Sequence, residues 1–215
     1  VCISGAGNVA QFAAQKAMRL GAKVLTLSDS NGFVYDPDGM TEEKMAYVFE
    51  LKNIRRGRIK EYVSKYPTAQ YFEGQRPWGI PCDIAMPCAT QNEVEKHDAE
   101  QLLKNGCTCV VEGANMPTTP EAIALFQQAH ILYSPGKASN AGGVATSGLE
   151  MTQNSMRLKW TAEEVDERLH TIMADIHAAC LKYGTEQDGY INYVKGANIA
   201  GFMKVANAIV EQGIV

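Results

Sequence analysis

A glycine-rich turn between a strand and a helix opens the sequence, and it constrains the fold more than any other stretch. Val1-Cys2-Ile3-Ser4 reads as the end of a buried strand and runs straight into Gly5-Ala6-Gly7-Asn8-Val9-Ala10, after which a helix begins. This is the Gly-x-Gly-x-x-Gly/Ala turn of a dinucleotide-binding unit. Gly5 permits a tight turn, Gly7 removes a side chain where backbone must approach a pyrophosphate, and Ala10 lets helix and strand pack closely. The helix N-terminus then offers free N–H groups and a positive dipole end to phosphate. Val9, Phe12, Ala13, Ala17 and Leu20 form one apolar stripe on that helix, predicted to face a sheet. Gly21 stops the helix, residues 23–28 read as a second strand, and Asp29 follows it. Strand, glycine turn, helix, strand and acid in this order are far more specific than the turn alone.

The same alternation continues. Asn31-Gly32 and Asp36-Pro37-Asp38-Gly39 bracket a short extended excursion at residues 33–35. Thr41 caps a predicted helix reaching about residue 54, a short helix covers 59–65, and 69–72 is a weak strand. Residues 83–86 read as a buried strand. Asp98 and Gln101 fit a capping box for a helix ending at Asn105-Gly106. Residues 108–112 are a strand, Thr119-Pro120 starts a helix reaching about Ala129, and 131–133 are the last strand. The pattern predicts an α/β fold: a Rossmann-like, doubly wound, mostly parallel sheet over residues 1–143.

After Gly143 no strand pattern recurs. Thr161 and Glu164 make a capping box, and Val165, Leu169, Ile172, Met173, Ile176, Cys180 and Tyr183 hold a helical period. Phe202, Val205, Ala206, Ile209 and Val210 repeat it, so residues 144–215 are a C-terminal helical layer. The net charge of −4 argues against a nucleic-acid partner, and no apolar run approaches the roughly 20 residues of a membrane span. The six cysteines form no C-x-x-C and the four histidines no paired motif, so no metal is expected and the reading is a reduced, cytoplasmic protein.

Five longer segments are more particular. They are Pro87-Cys88-Ala89-Thr90-Gln91-Asn92, the run from Glu112 to Thr119, the run from Pro135 to Val144, Ser147-Gly148-Leu149-Glu150-Met151-Thr152-Gln153-Asn154, and the run from Lys195 to Phe202. Together they closely resemble the C-terminal, cofactor-binding half of hexameric glutamate dehydrogenases, in the Glu/Leu/Phe/Val dehydrogenase family. The resemblance implies that Gly5, Gly7, Asn8 and Val9 hold the pyrophosphate and that Asp29 and Ser30 lie beside the adenosine ribose. It places Ala89 and Thr90 along the cofactor cleft, Asn115 and Asn140 at the nicotinamide, and Val144 and Ser147 at the substrate. The Ser147 hydroxyl would donate to the substrate's side-chain carboxylate. The implied reaction is reversible oxidative deamination of L-glutamate to 2-oxoglutarate and ammonia, carried out by a hexamer of the full-length enzyme. The family's catalytic Lys and Asp belong to an N-terminal domain, so no catalytic residue is expected in this stretch, which would bind cofactor without turnover. A start without Met, four residues before the turn, fits an excised piece of a longer enzyme. Two other identities stay open: the cofactor domain of a leucine, phenylalanine or valine dehydrogenase, and a stand-alone nucleotide-binding module.

Cofactor choice turns on charge. Asp29 alone favours NAD, because an acid there normally accepts the ribose 2′-OH. Against it, Lys52, Arg55, Arg56, Arg58 and Lys60 place five of twenty basic residues within nine positions. From charge pattern alone that is a solvated helix end. The resemblance points instead to Lys52, Arg55 and Arg58 as donors to a 2′-phosphate, with NADP preferred and NAD the second candidate. Capping alone would also account for Asn115, for Asn140, and for Ser147 as the N-cap of the helix that follows it.

Overall fold

The computed structural model describes residues 1–213. Packing divides them into two units, Val1–Leu132 and the remainder from Tyr133. In the first unit the strands are β1 (Cys2–Ile3), β2 (Thr26–Asp29), β3 (Gly32–Tyr35), β4 (Gln70–Glu73), β5 (Ile84–Met86) and β6 (Cys109–Val111), with β7 (Leu132–Ser134) beginning at its end. The sheet order is β4-β3-β2-β1-β5-β6-β7. β2, β1, β5 and β6 run parallel, with Cys2 opposite both Thr26 and Ala85. β3 turns back antiparallel on β2, so the predicted extended excursion is the return strand of a hairpin, and β4, reached after the intervening helices, pairs antiparallel with β3, with Phe33 stacked on Phe72. The chain passes to opposite sides of β1 to reach β2 and β5, and a doubly wound sheet opens a crevice at such a switch point.

Helix α1 (Asn8–Arg19) corrects a sequence expectation. Its buried residues are Ala10, Gln11 and Ala14, whereas Phe12 is 61% exposed and Val9 and Leu20 also face solvent. The helix lies so near the sheet at the glycine turn that only alanines fit between, with one glutamine. Small residues, not the bulky stripe, mark the packed face.

Further boundaries also differ. The helix capped by Thr41 is α2 (Glu42–Phe49) and continues as a π turn, Glu50–Ile54, closed by Arg55 N–H donating to the Glu50 carbonyl at 3.0 Å. The next segment is a 3-10 turn, Ile59–Glu61, followed by α3 (Tyr62–Lys65). Helix α4 (Lys96–Lys104) begins one turn earlier than Asp98-x-x-Gln101 suggests. Glu95 is its N-cap, and Asp98 accepts the Glu95 N–H at 2.9 Å. Two overlapping acid-led boxes three residues apart leave that register ambiguous in sequence. Thr119 caps α5 (Pro120–Gln128) as expected.

One ionic network inside this unit has a measurable consequence. Asp36 is wholly buried and accepts from Tyr62 Oη at 2.6 Å, Lys44 Nζ at 2.7 Å and Asp38 N–H at 3.1 Å. Burial pushes its carboxyl up, but the Lys44 and Tyr62 donors outweigh that and leave it below the usual range. A lowered carboxylate pKa adds stability above the unfolded-state value that is lost as pH falls through the folded one. Lys44→Met should therefore destabilise by about 3 kcal/mol at neutral pH, because it strands a buried charge. The deficit should shrink on acidification, which urea melts at pH 7 and pH 3 would register.

The second unit carries α6 (Gly136–Ser139), α7 (Ala141–Met156), α8 (Ala162–Gly184) and α9 (Tyr193–Gln212). Thr161 and Glu164 form the expected capping box at α8. Ser147 is mid-helix in α7, not an N-cap, and its hydroxyl donates to the Gly143 carbonyl at 3.3 Å. α8 and α9 meet at Gly196, where an added Cβ would collide with the Cys180 carbonyl. Phe202, Val205, Ile209 and Val210 are on α9 as predicted, and all four side chains are exposed.

Candidate functional site

The cleft grows out of the turn after β1. Gly5 has φ +86°, and a Cβ there would lie 2.9 Å from the Cys88 carbonyl oxygen. Only glycine meets both conditions without strain. Polar side chains within the buried strands stitch the turn in place. Ser28 Oγ accepts the Gly5 N–H at 2.7 Å, Thr26 Oγ1 accepts that of Ile3 at 2.9 Å, and Ser4 Oγ accepts that of Cys88 at 2.9 Å. The loop after β5 is pinned by Glu93, whose Oε1 accepts the Ala89 N–H at 2.9 Å and the Thr90 N–H at 3.3 Å. Burial pushes the Glu93 carboxyl up, against the pull of Ser4 and those two N–H groups. Burial likewise raises the Cys88 thiol to about 12, so it is protonated.

Between these loops lies a cleft of about 640 Å³. It gathers most of the residues singled out in the sequence: Gly5, Gly7, Asn8, Val9, Asp29, Ser30, Lys52, Ala89 and Thr90. Gly7 differs from Gly5. Its φ of −83° suits any residue, and a Cβ there would meet nothing within 4 Å. Neither conformation nor packing calls for glycine here. Gly7 is also the N-cap of α1, with no side-chain cap and no acid in the first turn. The helix thus presents its first N–H groups and positive end to the cleft, a ready anion site.

At the other end of the cleft Asp29 is already engaged. Its Oδ2 accepts the Ile59 N–H at 2.8 Å and Lys52 Nζ at 3.4 Å, and its Oδ1 accepts the Asn31 N–H at 3.0 Å. Burial pushes this carboxyl up, but the two backbone donors and the Lys52 ammonium hold it below the usual range. The acid is charge-compensated and serves to anchor the basic turn. Arg58 reaches the rim by donating to Ser30 Oγ at 3.0 Å, while Arg55 lies outside the lining, paired with Glu61 at 2.6 Å.

Asn115 is exposed in the loop after β6 and does not line this cleft. Asn140, Val144 and Ser147 belong to the second unit. Asn140 stands between α6 and α7 without capping α7 through its side chain; Val144 is 74% exposed and Ser147 is exposed. There too Lys137 Nζ donates to Asn198 Oδ1 at 2.6 Å. Sequence reasoning missed Arg76 and Glu93 in the cleft lining; both lie outside the strands and helices, where no local pattern marks them. Among the described residues no three His, Cys, Asp or Glu side chains form a group able to hold a metal ion, and no helix is long and apolar enough to cross a membrane.

Comparison with known proteins places this geometry. The chain is 65% identical to the NAD(P)-specific glutamate dehydrogenase of Xylanibacter ruminicola and 62% identical to the NADP-specific glutamate dehydrogenase of Haemophilus influenzae. In each case all of this chain is covered and 48% of the relative, so it spans about half the length of the curated relatives it matches. The crystal structure of Plasmodium falciparum glutamate dehydrogenase superposes with a TM-score of 0.94 at 52% identity, over 100% of this chain and 46% of that one. A family model described as Glutamate/Leucine/Phenylalanine/Valine dehydrogenase matches residues 1–213, and the chain belongs to that family.

Proposed function

We propose that this chain is the nucleotide-binding part of a glutamate dehydrogenase that takes NADP in preference to NAD. The observation that carries the reading is the empty space over Gly7, at the uncapped N-terminus of α1. A dinucleotide pyrophosphate fits there, held by the N–H groups of Asn8 and Val9. When bound, the nicotinamide ring supplies the hydride acceptor for oxidation of L-glutamate to 2-oxoglutarate and ammonia. The residues of this chain bind and orient it. Ala89 and Thr90 form a wall that Glu93 keeps in register. Asn115 and Asn140 are assigned to the nicotinamide carboxamide, and Val144 and Ser147 to the substrate. The rest of the full-length protein supplies the catalytic groups and the hexamer contacts in this reading.

The preference for NADP rests on the compensated acid. Asp29 already accepts from Asn31, Ile59 and Lys52, so a ribose 2′-OH would meet a carboxylate whose charge is compensated and whose Oδ2 is doubly engaged. Lys52, Ser30 and Arg58 leave a cationic rim suited to a 2′-phosphate. The relatives at 65% and 62% identity are named NAD(P)-specific and NADP-specific, which supports this reading. Titrating the full-length protein with NADPH and NADH tests it: NADPH should bind more tightly. Lys52→Met should remove a cation and free the Asp29 charge, weakening NADPH about ten- to a hundredfold while sparing NADH. Tighter NADH binding by the wild type would overturn the cofactor assignment.

A further inference from the structure

Gln11 is the polar exception on the packed face of α1, 2% exposed among alanines. Its Nε2 donates to the Ala6 carbonyl inside the glycine turn at 2.7 Å and to Asn53 Oδ1 at 3.2 Å. Asn53 Nδ2 returns a bond to Gln11 Oε1 at 3.1 Å. Both N–H donors of Gln11 and its carbonyl oxygen are thereby engaged within the protein. Its placement is what matters. Asn53 stands in the π turn next to Lys52, and π turns inserted in helices recur at functional sites. One buried side chain therefore grips both the turn assigned to the pyrophosphate and the turn assigned to the 2′-phosphate.

We infer that the Gln11–Asn53 amide pair is a spacer that fixes the distance between the glycine turn and the basic turn, and that this fixed spacing selects a dinucleotide carrying a 2′-phosphate. The inference rests on the NADP reading above. NADPH presents two anionic groups at a separation set by its own covalent frame. The second contact adds its full strength only if the protein holds both subsites rigidly at that separation. NADH has one of the two groups and gains nothing from the spacing. Asp29 ties the basic turn to the end of β2 through Lys52 and Ile59, and β2 meets the glycine turn where Ser28 Oγ accepts the Gly5 N–H. The amide pair adds a second, direct link from the other side, between side chains of α1 and the π turn.

Asn53→Ala is the discriminating variant, because it cuts the direct link and leaves Gln11 holding Ala6. Asn53 is half-buried, so the freed Gln11 oxygen reaches water. Dissociation constants for NADPH, NADH and 2′-AMP would be measured on the full-length protein, with and without the substitution. NADPH should weaken about three- to tenfold, the worth of one such hydrogen-bonded link. NADH and 2′-AMP, each using one subsite, should change by less than about twofold. Equal losses for NADPH and NADH would reduce the pair to a structural contact and overturn the spacer. A matching loss of 2′-AMP would overturn it too, since Asn53 would then act on the basic turn alone. A wild type that prefers NADPH, with a preference unmoved by Asn53→Ala, sinks the spacer and leaves the cofactor reading standing. A wild type with no preference sinks both.

Discussion

A protein carrying Gly7→Thr should melt with the wild type and yet bind NADPH about a hundredfold more weakly, or not at all. Threonine ranks level with glycine as a helix N-cap and adopts the backbone angles found at this position, so α1 loses nothing. Its Cβ meets no protein atom within 4 Å beyond its chain neighbours, so the branch has room to start without a clash. It enters the space assigned to the pyrophosphate, and its hydroxyl competes for the N–H groups that would hold phosphate. Gly5→Ala is the control two residues away. There the left-handed φ and the Cys88 carbonyl oppose any Cβ, so stability should fall by about 2 kcal/mol or more. Thermal melts and nucleotide titrations on both variants separate the roles: one glycine serves the fold and the other the ligand. Unimpaired NADPH binding by Gly7→Thr would remove the observation on which the proposed function rests.

The second large effect concerns the helical unit, where one substitution should have opposite signs at two positions on one helix. Gly201→Ala in α9 meets open space and should stabilise by up to about 1 kcal/mol, the helix-propensity gain over glycine. Gly196→Ala should instead destabilise by about 3 kcal/mol, because its Cβ collides with the Cys180 carbonyl of α8. Backbone, not a pliable side chain, is the obstacle, so the helices must separate along their crossing. Denaturant midpoints for the two variants on opposite sides of the wild type would bear this out; matching shifts would mean that the helices part easily.

The parts that sequence made legible are those governed by local rules. The glycine turn, Thr41, Thr119 and Thr161 as caps, and the strand–helix alternation follow from near-neighbour chemistry. What it hid depends on tertiary distance. The stripe of Val9, Phe12 and Leu20 had helical spacing but the wrong face, because periodicity does not tell how near a helix lies to its sheet. Gln11 was invisible for the same reason: its importance comes from a partner 42 residues away. Asp29 misled in a similar manner. Its type and position pointed to NAD, while its bonds to Lys52, Asn31 and Ile59 are what count. Arg55 and Arg58 look alike in sequence, yet one pairs with Glu61 and the other reaches Ser30.

The sheet order also bears on the path by which the chain assembles. β3 pairs with β2 locally, across a tight turn, while β4 joins β3 after the intervening helices. β1, in contrast, must find β5 across more than eighty residues, with Cys2 beside Ala85. Contacts of high sequence separation carry the larger loop-closure entropy and form late. Cys88 and Ala89 lie against Gly5, so the candidate cleft is complete only when that seam is closed. A dinucleotide that binds only the finished cleft then favours the closed seam by mass action. On the proposed function, the dinucleotide would then act during folding as a latch on this long-range contact.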